Sequence, residues 1–306
     1  MPNPQAPVRF DFGVASGDPL ADRVILWRHA TRGDANPVAL TWEVALDAGF
    51  SQLVSTGQAQ ASPDAGQTAK VDATGLQAGQ TYFFRFRSGE HISPVGRTRT
   101  LPALNATSVK LAVFSCANNP AGFFHAYSGA LSVGAEYAVH LGDYIYEYEA
   151  GGYASEDAVA LGRVSVPANE CLTLADYRAR YAQCRSDPDL KQLHATLPMI
   201  AIWDDHEIAE NANASGSINH TEGVEGSFSA RAAAEAAYLL ARELEVSAPQ
   251  LMIPEQLALV DPVQNQKIGY NLDAWDGYPA AREAVLTSAA GLGKRMVSLA
   301  GDTHNA

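Results

Sequence analysis

Ala138-Val-His-Leu-Gly-Asp-Tyr-Ile-Tyr146 starts as a short apolar run and ends in a carboxylate and two phenols. Three other stretches share its form. Leu111-Ala-Val-Phe-Ser-Cys116 ends in a thiol, Met199-Ile-Ala-Ile-Trp-Asp-Asp-His-Glu207 in carboxylates and an imidazole, and Met296-Val-Ser-Leu-Ala-Gly-Asp-Thr-His304 in a carboxylate and an imidazole. Apolar runs of about four to eight residues bounded by turn residues read as buried strands. In open α/β sheets the chemistry sits beyond the carboxyl ends of the strands. One arrangement accounts for all four stretches: a sheet whose strand ends converge on one metal site. A Gly-Asp turn standing alone after a strand is commonly structural, but four strand ends with the same ending point to shared chemistry.

The candidate ligands are Cys116, Asp143, Tyr146, Asp204, Asp205, His206, Asp302 and His304. A thiolate is a soft, anionic donor suited to iron or zinc. Asp143 follows Gly142, so the backbone can turn sharply and present a carboxylate whose two oxygens can bridge two cations. Tyr146 lies three residues on and reaches the same cation if the segment turns helically. A phenolate favours a hard, strongly Lewis-acidic ion, above all ferric iron. After Cys116 come Asn118 and Asn119, where a neutral amide either holds a phosphate oxygen or a hard cation, or only shapes the turn. Asp204 reads as a further ligand or as a partner that fixes another group. His206 reads as a stabiliser of the transition state or as the proton donor to a leaving oxygen, with Glu207 orienting it.

The composition bounds the rest. A chain of 306 residues has room for two domains. Its Lys and Arg total 21 against 34 Asp and Glu, a net charge of −13. That argues against a general nucleic-acid or anionic-membrane binder, which needs a basic face. An anionic substrate remains compatible, because bound cations can reverse the local field. There is no apolar run of the length a membrane span requires, about 18 residues. The opening Met-Pro-Asn-Pro-Gln-Ala-Pro lacks the basic and apolar regions of an export signal. Cys171 and Cys184 flank a polar helical stretch. They read either as one disulfide, in keeping with an oxidising compartment, or as two ordinary thiols.

Residues 1–102 read as a β domain, with Val24-Ile-Leu-Trp27, Ala39-Leu-Thr-Trp-Glu-Val-Ala45 and Thr81-Tyr-Phe-Phe-Arg-Phe-Arg87 as strands. Tyr82 is placed for the tyrosine corner of a fibronectin type III or immunoglobulin-like sandwich. His29 and His91 read as packing or surface residues. Residues 100–107 form the linker, and residues 103–306 the second domain. In it, residues 123–131 and 173–181 read as helices. Asp187-Pro188 reads as the N-cap and first residue of another helix, on which His194 is structural. Tyr144 and Tyr148 read as packing residues. His220 and Glu222 lie in a polar loop within reach of a substrate, ahead of an Ala-rich helix from Ser229.

Ser115-Cys116-Ala-Asn118, His140-Leu-Gly-Asp-Tyr-Ile-Tyr-Glu147, Trp203-Asp-Asp-His-Glu207 and Gly301-Asp-Thr-His304 resemble the motifs of the PhoD-like alkaline phosphatases. These belong to the calcineurin-like metallophosphoesterases and are relatives of the purple acid phosphatases. Arg231 and residues 271–282, a candidate cleft rim, also fit the family pattern. The resemblance implies an α/β (α+β) fold, with a β-sandwich followed by a layered αββα metallophosphoesterase domain. It implies Asp143 as the bridge between two ions, with Cys116 and Tyr146 on iron (Fe3+). Asp205 and Asp302 then serve a second ion, Ca2+ or else Zn2+ or another divalent ion, and His304 serves the iron or the phosphate.

The activity implied is hydrolysis of small phosphomonoesters by in-line attack of metal-activated hydroxide. Diester or phospholipase D-like activity and a non-catalytic metal- or phosphate-binding remnant are the alternatives. A monomer and an exported location, periplasmic or secreted, are expected. Two departures from the family stand out: a block of relatives' sequence is missing near residues 240–251, and the chain stops at Ala306 where relatives continue.

Overall fold

Alternation of buried and exposed residues builds the first third of the chain. The computed structural model describes residues 6–103, 105–213, 216–240, 259–260, 267–268, 279–291, 299 and 301. Eight strands come first: β1 (Val14–Gly17), β2 (Arg23–His29), β3 (Val38–Ala45), β4 (Leu53–Ala61), β5 (Thr68–Thr74), β6 (Thr81–Ser88), β7 (His91–Ile92) and β8 (Gly96–Arg99). In β5 and β6 every second residue is buried, as a sheet with one face on a core requires. One sheet carries β4-β3-β6-β7, with β8 also on β6, and the other carries β5-β2-β1. Val14, Leu26, Val71, Leu40, Val44, Phe84 and Phe86 fill the space between them. This is the sandwich expected from the sequence. Its tyrosine corner is present too: the Tyr82 hydroxyl accepts the Gln77 N–H at 2.8 Å.

The second region supplies β9 (Leu111–Phe114), β10 (Tyr137–His140) and β11 (Met199–Ala201). These three are parallel and adjacent, with Val139 opposite Val113 on one side and Ile200 on the other. Their carboxyl ends therefore leave the sheet on the same edge. The sequence pattern did not announce the next feature. Gly17 of β1 pairs in parallel with Met199, so β5-β2-β1-β11-β10-β9 is one continuous sheet running from the sandwich into the second region.

Five helices are described up to residue 240: α1 (His125–Ser132), α2 (Ala158–Leu161), α3 (Leu174–Arg185), α4 (Pro188–Thr196) and α5 (Phe228–Leu240). α1 starts two residues later than expected from the sequence, after a short 3-10 turn containing Pro120 at Asn119–Ala121. Thr173 and Asp176 cap α3 reciprocally, and Asp187 caps α4 with Pro188 in the first turn. Tyr177, Tyr181, Leu190, Leu193, Ala138 and Met199 pack the helices on the sheet. Cys171 and Cys184 belong to that core as buried thiols, the second of the two readings open from the sequence. A small apolar side chain suits those positions as well as a bridge would, and spacing alone does not separate the two.

Farther on, Leu259–Val260 pairs antiparallel with Lys267–Ile268, and Pro279–Gly291 is helical. Residues 271–278, the expected last strand at 295–300 (apart from Leu299), Asp302 and His304 lie outside the described residues. No described helix is long and apolar enough to cross a membrane.

Candidate metal centre

The chain turns sharply at the ends of β9 and β10. Cys116 and Asp143 adopt left-handed backbone, with φ of 58° and 52°. Neither is glycine, so each conformation is strained, and such strain is kept where the surrounding structure over-determines it. The two turns brace each other: the Ala117 N–H donates to the Asp143 carbonyl at 2.8 Å, and the Cys116 N–H to the Gly142 carbonyl at 3.2 Å. Gly142 is required for more than its φ of +98°, since a Cβ there would lie 2.5 Å from the backbone N of Asp204. The loops after β10 and β11 thus touch at a point where no side chain fits.

Glu207 locks those loops together. Its carboxylate accepts the N–H groups of Asp143 at 3.1 Å, Tyr144, and Asp204 at 2.7 Å. The sequence reading has Glu207 orienting His206; its carboxylate is instead taken up by these backbone N–H groups. Residues 205–209 make a helical turn, with the Ala209 N–H on the Asp205 carbonyl. Neighbouring side chains on such a turn point in different directions. Burial and the nearby Asp143 charge push the Glu207 pKa up against the pull of its three N–H donors.

The partner of His206 is Glu147. His206 Nδ1 lies 2.8 Å from Glu147 Oε2. Glu147 Oε1 accepts the Glu210 N–H at 2.8 Å and the Asn219 amide at 2.6 Å. Burial alone would lower the His206 pKa; Glu147, Asp205 and Asp143 outweigh it and push it up to about 10. Glu147 stands in the second motif, four residues past Asp143, and that proximity was the only signal for it. Asn219 sits in a polar loop that carries no motif.

Asp143, Asp205 and His206 each bring one possible ligand atom to within 4.8 Å of the others. The Tyr146 hydroxyl donates to Asp143 Oδ2 at 3.0 Å, three residues along a turn, as the spacing requires. The Cys116 side chain contacts both Asp143 and Tyr146. Burial, and the adjoining Asp143 and Cys116, hold the Tyr146 phenol well above its ordinary pKa. Burial also raises Asp143, with Asp205 adding to it and His206 opposing it. Asp143 Oδ1 and Asp205 Oδ1 are buried with no hydrogen-bond partner among the described residues. Buried carboxylate oxygens without donors are costly unless a cation meets them, so this donor set fits a metal ion.

The other candidate residues have these partners. Asp204 contributes its N–H to Glu207 and is not one of the three grouped ligands. The Asn118 amide donates to the Tyr153 carbonyl at 3.1 Å, which ties a neighbouring loop. His220 is held between Glu222 and Glu225 of its own loop, at 3.5 and 3.4 Å. His194 is buried against the Tyr144 hydroxyl at 2.9 Å, and both are structural. Tyr148 packs 5.3 Å from the His206 ring.

The family profile of the PhoD-like phosphatases matches residues 111–247 and 240–306, and that of their N-terminal domain matches residues 2–102. The chain belongs to the PhoD-like phosphatase family. Alkaline phosphatase D of Bacillus subtilis (strain 168) is 39% identical to this PhoD-like chain over 247 residues, which are 78% of the chain and 42% of that relative. A solved structure of PhoD aligns with a TM-score of 0.68 at 36% identity, over 79% of this chain and 46% of that one. The chain therefore spans less than half the length of either relative.

Proposed function

We propose that this PhoD-like chain is a metal-dependent hydrolase of small phosphomonoesters, with diesters as the wider class. The observation that carries the reading is the pair of partnerless buried oxygens on Asp143 and Asp205, beside His206 and at the ends of parallel strands. We assign iron to Cys116, Asp143 and Tyr146, since thiolate and phenolate donors suit it. Calcium, or else zinc or another divalent ion, is assigned to Asp143 and Asp205, with Asp302 and His304 completing the ligand set. Cations held there neutralise phosphoryl charge and lower the pKa of water to roughly 7 in favourable sites.

The protein's own groups do the rest. Glu207 fixes the loops that carry Asp143 and Asp205, so the ligands are held before a substrate arrives. Glu147 holds His206 through Nδ1, which turns Nε2 toward Asp205, 3.9 Å from Oδ2. In that orientation His206 keeps a proton at Nε2 for the leaving oxygen as the ester P–O bond breaks and a water oxygen joins phosphorus. Asn118 acts at one remove, by fixing the loop of Tyr153. An exported setting, periplasmic or secreted, is supported by the family resemblance alone, because Cys171 and Cys184 form no disulfide.

The test is release of inorganic phosphate from phenyl phosphate by the protein loaded with iron and calcium. Wild type turns over, and Asp143→Asn loses turnover while its circular dichroism is unchanged. Phosphate release by the variant at the wild-type rate would overturn the assignment.

A further inference from the structure

Aromatic rings lead from the metal centre out to solvent. Tyr146, bonded to Asp143, stacks on Tyr153 with ring centroids 6.0 Å apart and planes 24° apart. Tyr153 meets Tyr148 at 5.8 Å, and Tyr148 meets His206 at 5.3 Å. These separations lie within the range of about 4.5–7 Å at which aromatic pairs attract. Tyr146 is buried and Tyr148 half-buried, whereas Tyr153 is 49% exposed.

The loop is built to hold that ring in place. The Tyr153 carbonyl accepts the Asn118 amide at 3.1 Å, the Gly152 N–H donates to Glu149 at 3.1 Å, and the Ser155 hydroxyl donates to the Gly152 carbonyl at 2.7 Å. Gly152 lies so close to Tyr148 that a Cβ would fall 2.9 Å from the Tyr148 Cβ. Only glycine lets the loop lie down on Tyr148 and set the next residue's ring beside it. The result is a fixed ring with one stacked neighbour inside and water outside, next to the atoms that bind phosphate in the reading above.

We propose that Tyr153, backed by Tyr146 and flanked by Tyr148, forms a stacking shelf for a planar aromatic group carried by the leaving alcohol, so that nucleotide-like phosphoesters are preferred over aliphatic ones. The inference rests on phosphoester hydrolysis at the Asp143, Asp205 and His206 centre. The ring takes no part in bond making: the ester P–O bond breaks, water supplies the new oxygen on phosphorus, and the alcohol leaves protonated with its ring intact. Stacking needs only a π-face, so the shelf selects planarity and not a particular base.

Adenosine 5′-monophosphate and ribose 5-phosphate test this, because both release a primary alkoxide and differ by the base. The expected kcat/KM for the nucleotide is about tenfold higher. Tyr153→Ala lowers it about tenfold more than it lowers the value for ribose 5-phosphate, chiefly through KM, and Tyr153→Phe restores the preference. Equal efficiencies for the two substrates, or an equal loss on both in Tyr153→Ala, would overturn the shelf and leave phosphoester hydrolysis standing. If neither compound releases phosphate, equilibrium binding decides the shelf, and the hydrolase reading stands or falls on phenyl phosphate. Nucleotide bound more tightly than ribose 5-phosphate, with the difference lost in Tyr153→Ala, then supports it, and equal affinities overturn it.

Discussion

The sandwich and the ends of β9–β11 bury different things. In the sandwich, Leu26, Val44, Phe84 and Phe86 are fully enclosed, and a charged group such as Glu43 is met by Arg85 at 2.6 Å and Arg87 at 3.5 Å. At the strand ends Asp143 and Glu147 are fully buried and Glu207 is 2% exposed, with strained backbone at Cys116 and Asp143. Apolar burial stabilises by about 25 cal/mol per Å², whereas a buried carboxylate costs several kcal/mol unless it is neutralised. The first region stabilises the fold, and the second holds charge that only a cation or a dedicated donor justifies. They are joined by the shared sheet at Gly17 and Met199, so the stable half carries the strained half.

Substitutions can separate the two. Phe84→Ala should cost about 3–5 kcal/mol in denaturant unfolding through the cavity it leaves. Protein that stays folded should keep its full metal content; a loss of metal in step with stability would break the division. Glu207→Ala should do both kinds of damage, since it leaves the N–H groups of Asp143, Tyr144 and Asp204 without this acceptor. At about 1 kcal/mol or more for each, the loss is roughly 3 kcal/mol. Metal content should fall with it, because the loops of Asp143 and Asp204 are no longer tied.

Glu147→Gln should be gentler on stability and act on the reaction. The expected fall in kcat is about 10–100-fold, the usual size for removal of a group that orients a ligand or acid. Asn219→Ala should lower kcat less than Glu147→Gln does. The reverse ranking would mean that the 216–226 loop acts directly and not through Glu147.

One test in the sandwich reads pH and not the reaction. Burial holds the His29 pKa down to about 4, so His29 adds stability that is complete above its ordinary value of about 6.5. That contribution is lost as the pH falls from about 6.5 toward 4, and His29→Gln should flatten the fall in denaturation midpoint over that window.

The strand ends were legible because each joins a β-branched run to ligand-type residues, and the helix starts at Thr173 and Asp187 were legible because capping is local. Glu147 and Glu207 were not. Both are acidic neighbours of the motifs, and which of them faces His206 depends on the turn at residues 205–209 and on where the loop of Asn219 packs. The continuous sheet was hidden for the same reason: nothing in Val14-Ala-Ser-Gly17 names Met199 as its neighbour. Pairings between distant segments are set by packing, while caps, turns and strand runs are set within a few residues.

Elemental analysis of protein purified without chelators tests the central claim most directly, because convergence of the strand ends is a statement about metal. The account predicts about one iron per chain with calcium or zinc beside it, and loss of these ions in Asp143→Asn. Wild-type protein that takes up neither iron nor calcium on reconstitution would contradict it.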